Sequence, residues 1–181
     1  RKNVFFHDGT SFNSNAIKFT FDRFKRIGTM NYILGNKIKS IETPSEYSVI
    51  INLNKPSSSI NGLLTSVNLT PISPTFYQEY SDKFLNEKFV GTGKYVLSSF
   101  SNEVQSIDPN LNYWGEKPLN EGINFVGYSN SSSLFGALKS KQIDVLLSNS
   151  IDDSQRKSLN NLSKNKQFKE GNSPFTELSF I

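Results

Sequence analysis

The chain has 181 residues, a net charge of +4 and 35% hydrophobic residues. That apolar content is enough for a packed core, so the composition excludes a wholly disordered chain. The absence of cysteine excludes disulfides, thiol catalysis and zinc–thiolate sites. Lysine and arginine are spread along the chain without a long run, so no nucleic-acid-binding arm is predicted.

The first residues predict a strand, a turn and a helix. Val4–Phe6 is β-prone and is closed by the turn residues His7–Gly9, so it is predicted to be the second half of a hairpin. Asn13 is a suitable N-cap for a helix in which apolar residues recur at helical spacing. Gly28 is expected to end this helix.

Alternating residues then predict a hairpin, Lys37–Thr43 with Tyr47–Leu53. Two short helices are expected next. The first is Ile60–Val67, and the second follows Ser73 as a cap, begins at Pro74 and runs through Tyr80. Gly91–Gly93 opens a predicted strand, Lys94–Phe100, whose partner is Glu103–Ile107.

In the last third, strands alternate with helices, which favours a parallel or mixed sheet. The predicted helices are Ser131–Ser140 and Asp152–Leu162. The predicted strands are Ile123–Tyr128, Ile143–Leu147 (buried), Gln167–Glu170 and Thr176–Ile181. The change of pattern places a boundary near Asn110, with an α+β unit before it and an α/β unit after it.

Three local patterns suggest chemistry, and each also has a structural interpretation. His7–Asp8 could belong to a catalytic triad or a metal site, but the only histidine of the chain beside Asp–Gly more simply packs against a turn. Gly91–Gly93 lacks the spacing of a phosphate loop and leads into a strand, so a turn that needs glycine dihedrals is favoured. Tyr113–Trp114 could stack on a sugar or a base, although packing is favoured because no basic cluster flanks it.

Five segments in order resemble one family. Arg1–Asn13 resembles the segment R-x-x-V-x-F-H-D-G-T-P-F-x-A, Ala16–Arg23 resembles the following D-V-x-F-S-F-x-R helix, and Gly91–Tyr95 resembles the G-T-G-P-Y motif. Asn112–Pro118 resembles N-x-x-Y-W-G-x-x-P, and Ala137–Val145 resembles A-L-x-x-G-E-I-D. The family is that of the extracytoplasmic solute-binding proteins of ABC importers that bind oligopeptides, dipeptides or nickel complexes (family 5).

The departures from these motifs are modest: Ser11 and Lys94 stand in place of proline, Ser14 in place of alanine and Lys141 in place of glycine. The resemblance implies a class II periplasmic-binding-protein-like fold, of mixed α+β and α/β class. Residues 1–110 would form part of the family's extra α+β domain, and residues 111–181 part of the first α/β lobe. The second lobe would follow Ile181 and is expected to be missing from this chain.

The resemblance also implies a function. A complete member would capture di- or oligopeptides outside the cytoplasm and deliver them to a membrane permease, without being an enzyme and without a cofactor or metal. A nickel chelate, a sugar or an opine-like compound are alternative ligands, and a peptide-binding chaperone or signalling receptor is an alternative role. We expect a monomer in the periplasm or at the cell surface, without nucleic-acid partners, and anchored by a lipid if an upstream cysteine carries one.

Ligand-binding residues are expected in two places. Ser148, Asn149 and Ser150 follow the predicted strand Ile143–Leu147, and ligands of open α/β sheets lie at such strand ends. Phe175 and Thr176 stand where the family's cleft edge would be. No catalytic or metal-binding residue is predicted, and most ligand contacts are expected in the missing second lobe.

Overall fold

The computed structural model describes residues 1–27, 36–79, 88–146 and 152–164. The chain divides into two compact units, Arg1–Val126 and Gly127–Ile181. We refer to them as unit 1 and unit 2. Within the described ranges, no helix is long and apolar enough to span a membrane.

Unit 1 begins with a short loop and helix α1, Ser14–Ile27. Phe5 forms an isolated antiparallel bridge with Ser11, so Val4–Phe6 is also the first side of a small loop. The first half of the hairpin predicted for Val4–Phe6 was expected upstream of Arg1, so that hairpin stays a prediction. The predicted N-cap is confirmed, because Asn13 Oδ1 accepts hydrogen bonds from the backbone amides of Asn15 (3.0 Å) and Ala16 (3.3 Å).

Strands β1, Ile38–Ser45, and β2, Ser48–Leu53, form the predicted antiparallel hairpin. Their alternating sequence gives the hairpin one apolar face, and α1 packs on the hairpin. The N-terminus of α1 is tied to the hairpin turn, since Ser14 Oγ donates to the carbonyl oxygen of Ser45 at 2.8 Å and the Ser14 amide donates to that of Glu46 at 2.8 Å.

The core of unit 1 lies between α1, the hairpin and the segment after it. Its buried members are Phe21, Ile38, Ile41 and Leu69. Each fully buried side chain of this size contributes up to about 1.5–3 kcal/mol relative to an exposed one. Helix α1 and the hairpin are therefore held together mainly by apolar burial.

Three short helical segments follow: α2, Ile60–Leu63, a 3₁₀ turn, Val67–Leu69, and α3, Pro74–Glu79. Ser73 caps α3 as predicted, because its Oγ accepts from the backbone amide of Phe76 at 3.3 Å. The predicted α3 extended to Tyr80, which lies outside the described residues.

Strands β3, Tyr95–Phe100, β4, Val104–Pro109, and β5, Ile123–Val126, form an antiparallel sheet in the order β3–β4–β5. The three strands were predicted, but the boundary predicted near Asn110 falls inside this sheet. Strand β5, beyond Asn110, pairs with β4, which precedes it, and unit 1 accordingly extends to Val126. The assignment of the two parts to an extra domain and a first lobe stays a prediction.

Unit 2 contains the two predicted helices. Helix α4, Ser131–Lys139, is capped by Asn130, and helix α5, Asp153–Lys164, follows Asp152. The predicted buried strand Ile143–Leu147 is wrong for residues 143–146, which form no strand, and Val145 is 77% exposed. Among the described strands none pairs with residues 143–146, and a strand needs a partner for its backbone N–H and C=O groups.

Two further predictions of the last third cannot be compared with the structure. Leu147, Gln167–Glu170 and Thr176–Ile181 all lie outside the described residues. Of the strands predicted in the last third, the structure describes Ile123–Val126, which pairs antiparallel with β4, so the predicted parallel or mixed sheet stays a prediction.

Candidate functional site

Three loops that are far apart in the sequence meet in unit 1, and we call their meeting point the loop junction. It consists of His7, the loop Gly91–Gly93, Asn110 and Trp114. The amide of His7 donates to the carbonyl oxygen of Gly91 at 2.9 Å, and Asn110 Nδ2 donates to that of Gly93 at 3.0 Å. Trp114 Nε1 donates to the carbonyl oxygen of Thr92 at 3.0 Å. The junction therefore joins three of the five segments that carry the family resemblance.

Both ring nitrogens of His7 contact the backbone of the central loop. Nε2 lies 3.1 Å from the carbonyl oxygen of Gly93, and Nδ1 lies 3.4 Å from the backbone nitrogen of Gly91. A carbonyl can only accept and an amide N–H can only donate, so the geometry fits the neutral tautomer with the proton on Nε2. His7 thus packs against turns, as the structural interpretation held. Within the described ranges, no group of three or more His, Cys, Asp or Glu side chains could hold a metal ion.

The Asp8 carboxylate joins the first loop to the start of α3. One oxygen accepts from the amide (2.9 Å) and the hydroxyl (2.6 Å) of Thr10, and the other accepts from the hydroxyl of the fully buried Ser73. Partial burial raises the pKa of Asp8, but the hydrogen bonds from Ser73 and Thr10 outweigh it and hold the pKa below its ordinary value. Asp8 is therefore occupied as a structural acceptor and is not poised as a general base.

The glycines of the two loops play different parts. Gly9 has a φ of +82°, which an L side chain rarely adopts, so the turn interpretation holds there. Gly91 and Gly93 do not have positive φ, and an added Cβ would meet no atom closer than 3.8 Å. The prediction that this loop needs glycine dihedrals is therefore wrong. The loop leads into β3 and not into a helix, so it lacks the helix N-terminus of a phosphate cradle.

Tyr113 and Trp114 form the aromatic side of the junction. Their ring centroids are 4.8 Å apart, the guanidinium of Arg1 lies 4.0 Å from the Trp114 ring, and the Lys94 ammonium lies 5.7 Å from the Tyr113 ring. The two rings line a depression of about 600 Å³, together with other aromatic side chains such as Phe5 and amide side chains such as Asn112. The indole N–H is already bonded within the protein, which fits the packing interpretation of this pair.

The residues predicted to bind ligand lie elsewhere. Ser148, Asn149, Ser150, Phe175 and Thr176 are all outside the described residues, so their role stays a prediction. The sequence interpretation missed the links made by Asn110 and by Ser73. When the nine-position pattern N-x-x-Y-W-G-x-x-P is laid on Tyr113, Trp114 and Pro118, Asn110 occupies its first position, and this was the signal in the sequence that could have identified its side chain.

Comparison with known proteins identifies the family. Residues 1–180 match the family described as bacterial extracellular solute-binding proteins, family 5 (middle part). A putative ABC transporter peptide-binding protein of Brucella ovis is 28% identical over 155 residues, which are 81% of this chain and 29% of that protein. The probable D,D-dipeptide-binding periplasmic protein DdpA of Escherichia coli is 28% identical over 65% of this chain and 24% of its own length.

Solved structures agree on the fold. NikZ from Campylobacter jejuni, in complex with Ni(L-His), has a TM-score of 0.76 at 24% identity over 92% of this chain and 33% of its own. An ABC transporter substrate-binding protein from Sinorhizobium meliloti has a TM-score of 0.78 at 23% identity over 90% of this chain and 34% of its own. These likenesses confirm the predicted class II periplasmic-binding-protein-like fold.

The chain spans less than a third of the length of the Brucella and Escherichia relatives, 29% and 24% respectively. The family match, in contrast, extends over nearly all of its own residues, 1–180. It includes the segments that build the loop junction. The chain belongs to the bacterial extracellular solute-binding proteins of family 5.

Proposed function

We propose that the protein containing this chain is the substrate-binding component of an ABC importer, which captures di- or oligopeptides outside the cytoplasm and delivers them to a membrane permease. The observation that carries the proposal is the family match over residues 1–180. The names of the Brucella and Escherichia relatives as peptide- and D,D-dipeptide-binding proteins support peptides as the ligand class. In this role the protein is a receptor and not an enzyme.

A second ligand class is also supported. Structures similar to this chain have been solved with agropinic acid and with Ni(L-His), as well as with the peptide STSA, so proteins of this fold carry chemically different ligands. A metal chelate, a sugar or an opine-like compound is therefore the alternative cargo. A peptide-binding chaperone or signalling receptor is the alternative role.

Unit 1 contributes a scaffold in this proposal. The polar groups of the loop junction bond to one another, with His7, Asn110 and Trp114 all bonded to the backbone of the Gly91–Gly93 loop. A junction of this kind can hold loops at fixed positions while ligand contacts are made elsewhere. The whole protein is proposed to be a monomer in the periplasm or at the cell surface, where a lipid on an upstream cysteine would anchor it.

The decisive experiment identifies the ligand that the whole protein retains. The protein is purified without denaturation, the ligand is released and identified by mass spectrometry, and titration calorimetry then compares a peptide library with Ni(L-His) and an opine. We expect the purified protein to retain peptides. We also expect library peptides to bind with higher affinity than Ni(L-His) or the opine. Tight binding of the nickel complex or the opine, with none of the peptides bound, would replace the proposed cargo.

The predicted site is tested in the same protein. Alanine at Asn149 or at Phe175 is expected to weaken peptide binding by about tenfold, since the loss of one good polar or packing contact is worth about 1.4 kcal/mol. Ser98→Ala, on an exposed strand position of β3, is the control. If both site variants bind like the control, those residues are not ligand contacts.

The 181-residue chain by itself provides a further check. In a two-lobed receptor, affinity comes from contacts on both sides of the ligand, so this chain alone is expected to bind peptides more weakly than micromolar, a standard binding free energy smaller than about 8.2 kcal/mol. Calorimetry beside the whole protein measures the difference. Micromolar binding by the chain alone would mean that the complete site lies within these residues.

A further inference from the structure

We propose that His7 is a pH-sensitive clamp on the Gly91–Gly93 loop, which holds the loop junction closed when the imidazole is neutral and loosens it when the imidazole gains a second proton. The proposal concerns the conformation of unit 1, and it does not depend on which ligand the whole protein carries.

The clamp consists of three contacts made by one residue. The backbone amide of His7 donates to the carbonyl oxygen of Gly91 at 2.9 Å. Ring Nε2 donates to the carbonyl oxygen of Gly93 at 3.1 Å, and ring Nδ1 accepts from the backbone N–H of Gly91 at 3.4 Å. Only a neutral ring can make the last two contacts together, because a protonated imidazole has no acceptor nitrogen.

Protonation removes one of these three contacts and leaves the other two. The new N–H on Nδ1 would face the N–H of Gly91, so a hydrogen bond would become a contact between two donors. The contact from Nε2 to Gly93 would persist, since a cationic ring still donates there. The loop would therefore lose its side-chain contact at the Gly91 amide, while the backbone bond from His7 to the Gly91 carbonyl and the ring contact to Gly93 remain.

The loosening would reach two other members of the junction. The carbonyl oxygen of Gly93 also accepts from Asn110 Nδ2, and the carbonyl oxygen of Thr92 accepts from Trp114 Nε1. Any movement of Gly91 is thus passed through two adjacent residues to the indole ring. His7 is the only histidine and Trp114 the only tryptophan of the chain, so the switch and its reporter each give a single signal.

Several charged groups surround His7, and most belong to classes that titrate far from histidine. Arg1 and Asp8 lie on the same segment as His7, Lys94 follows the loop, and Asp108 and Glu116 flank Asn110–Trp114. Carboxylates as a class titrate about two pH units below histidine, and arginine and lysine titrate well above it. The hydrogen bonds from Ser73 and Thr10 hold the pKa of Asp8 lower still. In the 181-residue chain the α-amino group of Arg1 also belongs to a class that titrates near neutral pH, and the Arg1 guanidinium lies on the Trp114 ring, so the midpoint at Trp114 has to be matched to the His7 ring itself.

The experiment is an NMR titration of the 181-residue chain from pH 8 to pH 5. The indole N–H resonance of Trp114 is expected to move with the same midpoint as the ring resonances of His7. The protection factor of the Gly91 amide against hydrogen exchange is expected to fall by about threefold to tenfold, the range for loss of one neutral hydrogen bond. A Trp114 signal that stays constant through the His7 titration would overturn the proposal.

The variant His7→Gln separates the clamp from a general effect of acid. Glutamine can both donate and accept but does not titrate, so the transition at Trp114 between pH 8 and pH 5 is expected to disappear. Persistence of the same transition in this variant would also overturn the proposal. If the variant does not fold, the titration of the unmodified chain decides. Equal midpoints for the Trp114 and His7 resonances support the proposal, and different midpoints overturn it.

Discussion

The two sheets of unit 1 are built alike but covered differently. The hairpin β1–β2 lies against α1, where Ile38 is 2% exposed and Phe21 is 5% exposed. On the sheet β3–β5, Phe100 is 38% exposed and Phe125 is 54% exposed. Both sheets have apolar residues on one face, and in the described part of the chain α1 covers the face of the hairpin while Phe100 and Phe125 of the second sheet are exposed.

The register of the second sheet explains what holds it together. Gln105 of β4 lies directly opposite Phe100 of β3 and also opposite Phe125 of β5. Ile107 likewise lies between Leu97 and Ile123. Cross-strand pairs of this kind contribute about 0.2–1 kcal/mol each, which is less than the burial of one core side chain. We infer that the hairpin region depends on burial and the three-stranded sheet on backbone pairing and cross-strand contacts.

The largest expected effect compares one phenylalanine from each region. Phe21→Ala should lower the free energy of unfolding by about 3–4 kcal/mol, because it removes a buried ring and leaves a cavity. Phe125→Ala should cost less than about 1 kcal/mol, because its ring is already more than half exposed. Urea denaturation of the two variants measures the difference. Equal losses would mean that β5 is as well covered as the core.

Backbone conformation gives the next largest effect. Gly9→Val should destabilise the chain by about 1–2 kcal/mol, since a β-branched residue is strained at a φ of +82° even though no atom lies within 4 Å of its Cβ position. Gly62→Ala in α2 is the matched control. It too has open space, but without a positive φ, and should be neutral or stabilising by up to about 1 kcal/mol.

The two glycine variants also separate a structural role from a binding role. In the whole protein, Gly9→Val should lower stability before it changes ligand affinity. Unchanged stability together with lost ligand binding would contradict the structural role assigned to the Asp8–Gly9 turn.

Sequence reasoning predicted the first region better than the last, for physical reasons. In α1, capping by Asn13 and the spacing of Ile17 and Phe21 are local signals, and the structure confirms both. Ile143–Leu147 is an apolar run that can form a strand only beside a neighbouring strand, and residues 143–146 are not in a strand. Local chemistry is encoded within a few residues, whereas sheet membership depends on distant partners.

The candidate site also combines local features that the sequence predicts with distant contacts that it does not. The turn at Asp8–Gly9 was predictable from residue types, because Asp and Gly have defined turn chemistry. The bonds from Asn110 to Gly93 and from Ser73 to Asp8 were not, since they join positions 17 and 65 residues apart. The ordered family motifs include the segments around Asp8 and Gly93 but not Ser73, and they did not indicate which atoms meet.

A smaller effect on stability is expected from replacing the Asp8 carboxylate. Because its folded pKa lies below the ordinary value of 3.8, Asp8 stabilises the fold above that pH and loses this contribution as the pH falls through the folded pKa. Asp8→Asn should therefore cost stability at pH 7, about 1 kcal/mol or less once exposure is considered, and the gap should narrow at pH 3. Urea midpoints at both pH values measure it. A gap that widens in acid would contradict the assigned direction of the pKa.

The control for Asp8 is Asp22, whose carboxylate pairs with Lys18 on the exposed surface of α1 at 2.7 Å. Asp22→Asn should change stability by less than about 0.5 kcal/mol at pH 7, as is usual for exposed pairs four residues apart. If both variants lose the same small amount, the link from Asp8 to Ser73 and Thr10 adds nothing beyond a surface charge.

The smallest effect concerns Gln105, the polar residue between two aromatic rings of the second sheet. Gln105→Val should raise the free energy of unfolding by about 0.5 kcal/mol, because a β-branched side chain packs well beside aromatic cross-strand neighbours. Asn124→Val on β5, opposite Ser106, is the control, since it brings the same strand preference without aromatic neighbours. A larger gain at Gln105 would mean that cross-strand contacts stabilise this sheet. Equal gains would assign the effect to strand preference alone, and the difference between the two regions would then rest on backbone pairing rather than on side-chain contacts.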